Sequence, residues 1–262
     1  MFQRCLFTRR LAKDSNLATD LSAVAATGIN VLISSFNIPS DVQLAIANCS
    51  PVIQRGFEVA LETIGSNRFS NNEKKRLAHT FLSAAQKAAE NNSKQKSLAP
   101  SFESSDDLED ILEDLLCAAS DDSQEKKDEV YGRFIGNFPY QGQFNKTSVY
   151  MLARIIRELS YDELLLLSIL YELGSTNFES INTCFVNTEN VTAGEICYYF
   201  MHFRNLGLTV RTFPFSTGST IGTIKLSSLG KGLCEMMELL NLDPEERTKM
   251  QATLDLYNRF QG

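Results

Sequence analysis

Directly behind Ser160-Tyr161-Asp162-Glu163 comes a run that no water-facing helix tolerates: Leu164, Leu165, Leu166, Leu167, Ile169 and Leu170. Ser160 followed three residues later by Glu163 is a capping box, in which each side chain bonds the other's backbone N–H. The helix it opens is apolar on nearly every side, so it must be enclosed by neighbours. The sequence behind it supplies them. A short helix is expected at about 178–186. Thr192-Ala193-Gly194-Glu195 reads as a further capping box, in front of ICYYFMHFRNLGL. Two β-prone runs, 208–215 and 221–226, flank Ser216-Thr217-Gly218-Ser219-Thr220, which is hairpin-loop chemistry. Ser227 can cap the next helix. Asp243-Pro244-Glu245-Glu246 starts the last one, with Pro at the first helical position and acids in the first turn.

The order from Ser160 onward is therefore helix, short helix, helix, hairpin, helix. FRNLGLTV, followed by GTIKLSSLGKGLCEMMEL, resembles the end of many winged-helix domains, where the third helix turns into the wing and a Leu-Ser-x-x-Gly run opens the last helix. A DNA-reading winged helix would present cations and amides from its third helix and wing. Here the third helix offers Tyr198, Tyr199, His202, Arg204 and Asn205, and the wing offers Arg211 and Lys225. Across 160–241 eight acids face four bases, a net charge of −4. Phosphate binding needs several well-placed cations, so protein contact is the better expectation and nucleic acid the disfavoured one. Tyr198, Tyr199, His202, Arg204, Arg211 and Lys225 are the candidate contact residues in either case.

The rest of the chain reads as helical. Residues 17–65 are rich in Ala, Val, Ile and Leu and poor in charge, interrupted by Gly28, Pro39 and Pro51. Burial within the helical domain, an oligomer interface and membrane insertion are the three readings of this segment, in that order. The stretch between Asp20 and Asp41 is uncharged, but Ser, Thr, Asn, Gly28 and Pro39 make it a poor membrane span. Ser70-Asn71-Asn72-Glu73 is another capping box and predicts a helix to about residue 90. NNSKQKSLAPSFESS reads as a linker. Further helices are expected at 105–120, 123–137 and 146–158, with Gly132 and Gly136 spaced to permit close helix packing. The expected organisation is an N-terminal helical region over 1–95, a middle helical region over 96–158, a winged-helix-like module over 159–241 and a C-terminal helix over 242–262. The expected fold class is mainly α with one β-hairpin.

NRFSNNEKKRLAHTFLSAAQKA and EKKDEVYGRFIGNFPYQGQFNKTSVYMLARIIRELSYDELLLLSIL resemble segments of uncharacterised bacterial helical proteins, loosely similar to Abi-alpha-type proteins of phage abortive infection. The resemblance implies a bacterial origin and a defence context. It supplies no catalytic residues.

Chemistry is sparse. His79 and His202 are the two histidines, and neither sits in a zinc or metalloprotease spacing. No P-loop, dinucleotide fingerprint or nucleophile elbow is present. The acids at 106–114 read as a solvated helix face. No catalytic group, cofactor or metal is expected. A net charge of −7 supports solubility and gives no support to bulk nucleic-acid binding. Six scattered cysteines without C-x-x-C spacing, and the lack of a secretory signal, predict a reduced cytoplasmic protein. The expected function is a non-enzymatic interaction or regulatory protein with a protein partner or self-association. A DNA-binding regulator and a phage-defence effector are the alternatives.

Overall fold

The computed structural model describes residues 70–97, 105–142, 144–179, 191–212 and 221–259. The segment 17–65, residues 180–186 of the expected short helix and the hairpin loop at 216–220 lie outside them. The chain divides into two compact units, Met1–Arg157 and Glu158–Gly262.

In the first unit, α1 (Asn71–Ser93) begins at the predicted box: Glu73 N–H donates to Ser70 Oγ, and Ser70 N–H donates to the Glu73 carboxylate at 2.6 Å. α1 lies along α3 (Lys127–Asn137), and α2 (Ser105–Asp121) packs on both. Two glycines set the closeness of α1 and α3. A Cβ at Gly132 would come within 2.6 Å of the Thr80 carbonyl oxygen, and one at Gly136 within 2.7 Å of that of Ala84. Leu77, Phe81 and Ala84 of α1, Ile111 and Leu115 of α2, and Tyr131 and Phe134 of α3 fill the core. α3 starts later than its charge pattern predicts, at Lys127 rather than 123. Asp122 explains the delay: its carboxylate takes the Gln124 N–H, pairs with buried Lys127 and accepts from the Tyr131 hydroxyl. A 3-10 turn, Phe138–Tyr140, follows at Pro139, and α4 spans Lys146–Glu158.

In the second unit, α5 (Tyr161–Leu173) is buried from Glu163 through Leu170. It packs against β3 (Ile221–Leu226), α7 (Ser228–Met237), a 3-10 turn at Leu239–Asn241 and α8 (Pro244–Arg259). Where a short helix was expected from 178, the chain instead forms strand β1, Thr176–Glu179. A helix of that length is marginal alone, whereas β1 gains a ladder by pairing antiparallel with β3. α6 (Val191–Asn205) follows, then β2 (Thr209–Thr212). Thr192 lies inside the first turn of α6 rather than at its cap. The sheet order is β1-β3-β2, both pairings antiparallel. Ile224 and Leu226 face inward, while Lys225 and its cross-strand partner Val210 face out.

The turn from α6 into β2 is tightly held. Gly207 has φ +72, a conformation that favours glycine. The Ser227 hydroxyl donates to the Gly207 carbonyl at 2.7 Å and Ser227 N–H donates to that of Leu208 at 2.9 Å. Ser227 Oγ also accepts from Gly230 N–H at 3.0 Å, as its predicted capping role requires. Cys117 and Cys234 are free, whereas Cys197 is disulfide-bonded, a departure from the expectation of reduced cysteines. No helix among the described residues is long and apolar enough to cross a membrane.

Candidate interaction face

Helix α6 buries Ile196, Cys197, Phe200 and Phe203. Phe200 meets Tyr257 of α8 edge-on at 5.9 Å. These anchors fix the rotation of α6 and so decide what it shows to water. Glu195, Tyr198 and Asn205 are exposed, and Tyr198 keeps 57% of its surface accessible. The Tyr198 ring lies 6.2 Å from that of Tyr199 and 6.1 Å from that of His202.

His202 is anchored to α5. Its Nδ1 lies 2.5 Å from Glu163 Oε1. The Glu163 side chain is only 4% exposed and that of His202 22%. The other Glu163 oxygen accepts from Ser160 N–H at 2.7 Å and from the Ser160 hydroxyl at 2.9 Å. One carboxylate thus closes the capping box of α5 and clamps α6 onto it. A half-buried histidine oriented by a carboxylate is half of a catalytic pair. The nearby Ser160 hydroxyl donates to Glu163 Oε2 and accepts from Glu163 N–H, as the cap requires.

The surroundings are anionic. The Tyr199 hydroxyl is pushed up to about 12, first by burial and then by the carboxylates of Asp162, Glu195 and Glu163. Asp162 and Glu195 are both exposed. The face therefore carries two aromatic rings, an engaged histidine and a rim of carboxylates.

The six candidates do not form one patch. Tyr198, Tyr199 and His202 come together. Arg204 is exposed, but at roughly 100° per residue it lies about 120° around the helix from Tyr198. Lys225 is exposed on β3 beside Val210. Arg211 sits on β2 opposite Ile224, and its side chain lies outside the described residues. Sequence reading missed Glu163 and Asp162 as members of the face. Glu163 was legible as a capping residue, but its second oxygen had no visible partner in the sequence, because His202 lies 39 residues away.

Comparison with protein-family models, with curated proteins and with solved structures gave no match for this chain.

Proposed function

We propose that the chain is a non-enzymatic interaction or regulatory protein, acting through protein–protein contacts made by a winged-helix-like C-terminal unit. The shape is supported by the order α5, β1, α6, β2, β3, α7 and by the antiparallel pairing of β2 with β3 directly after α6, where this reading would have a wing. The observation that carries the function is the outward chemistry of α6. A helix that entered a DNA groove would need cations and free amides there. This one shows Tyr198 and Glu195, with Asp162 alongside. Exposed tyrosine is typical of protein hot spots, whereas a carboxylate rim repels phosphate.

DNA binding is the competing reading, and exposed Arg204 and Lys225 are what favour it. Titration of the full chain with labelled duplex DNA at about 50 mM salt separates the two. No saturable binding is expected. Saturable binding that weakens with added salt and with Arg204→Ala would overturn the protein-contact reading.

A further inference from the structure

The face around Tyr198 has a chemistry that selects among protein partners. An exposed tyrosine ring attracts a cation over its π-face. Carboxylates beside the ring add a second attraction for the same cation and offer hydrogen-bond acceptors to it. Both components are present: Tyr198 is exposed with its ring 6.2 Å from that of Tyr199, exposed Glu195 precedes it by three residues on the same side of α6, and exposed Asp162 adjoins Glu163, which pairs with His202, whose ring lies 6.1 Å from that of Tyr198. His202, whose ring joins this cluster, is turned to Glu163 by its Nδ1. Arg204, the nearest cation along α6, lies on a different flank of the helix.

Charge also rules among occupants. A second copy of this chain would bring a net charge of −7 to an already anionic face. Like charges placed together across an interface oppose association. A nucleic acid meets the same obstacle more strongly. A positively charged polypeptide segment meets none.

Building on the protein-contact reading, we propose that the Tyr198 face of α6, rimmed by Asp162 and Glu195, docks a lysine- or arginine-bearing segment of a partner protein. The aromatic ring supplies the platform and the carboxylates hold the cationic head. Glu163 and His202 position the platform by locking α6 onto α5 and touch the partner only incidentally.

The test uses the full chain against a display library of randomised short peptides, with selected peptides then measured by fluorescence anisotropy. Peptides enriched in Lys or Arg are expected. Tyr198→Ala should weaken them by roughly tenfold, Tyr198→Phe should leave binding within a fewfold, and Glu195→Lys should weaken it at least as much as the alanine change. Circular dichroism of each variant confirms that the helices are retained. Peptides that depend on Tyr198 but carry no cation would overturn this proposal and leave the protein-contact reading standing. Lys- or Arg-rich peptides indifferent to both Tyr198→Ala and Glu195→Lys would overturn it as well, as would a library that yields nothing above background. Failure of the underlying reading has its own signature, the salt-dependent duplex binding described above.

Discussion

Asp128 shows how one side chain can work against the fold it belongs to. It is 3% exposed on α3, and burial pushes its carboxyl up to about 7, with Glu125 and Asp122 adding to the rise and Arg76 opposing it. A raised carboxyl binds its proton more tightly in the folded chain than in the unfolded one. Its penalty is therefore absent below the unfolded value, near pH 4, grows as pH rises, and is complete above about pH 7. Asp128→Asn should stabilise the protein at about pH 8, on the order of 2 kcal/mol, and do little near pH 4. Urea unfolding of both proteins across that range checks it, and a gap that stays flat with pH would contradict the burial argument. Glu163 is the opposite case, a buried carboxylate fully used by Ser160 and His202. A double-mutant cycle of Glu163→Gln with His202→Ala should give a coupling of about 1 kcal/mol or more. Additive effects would show that the pair carries no energetic weight.

Among the elements, local chemistry was the readable part. The boxes at Ser70 and Ser160, the cap at Ser227 and Pro244 at the start of α8 are all found where their sequences place them. Each depends on residues two or three apart, which is why spacing alone reveals it. β1 was not readable, because what holds Thr176–Glu179 extended is β3, more than forty residues later. The Gly132 and Gly136 pair was legible as permission for close packing, but the partner, α1, was not. Because α1 backbone occupies the space a side chain would need, Gly136→Ala is expected to cost about 1–3 kcal/mol. A lower denaturant midpoint at unchanged slope is the expected signature. A midpoint equal to wild type would mean that α1 and α3 sit further apart than described. Ser160→Ala should lose roughly 1 kcal/mol through the cap alone, and Glu163→Ala more, since it removes the cap and the clamp on α6 together.

At the scale of the whole molecule, shape and charge carry different messages. Among the described residues the C-terminal unit runs helix, strand, helix, two strands and two helices, and its helices were largely legible from their caps. The site was less legible. Of the six sequence candidates, folding gathers Tyr198, Tyr199 and His202, adds Glu163 and its neighbour Asp162, and leaves Arg204 and Lys225 apart. Residue type pointed to an interface, but only rotation of α6 about its buried Phe200 and Phe203 decides which residues share one. Under the proposed role, the sign of the α6 face rather than its shape would set what it binds. Titrating labelled duplex DNA with the full chain and with an Asp162→Lys, Glu195→Lys double variant, at about 50 mM salt, tests it most directly. The wild-type chain should show no saturable binding, and the charge-reversed chain should acquire binding that weakens as salt is raised. Saturable binding by the wild type, or none by either protein, would contradict the claim.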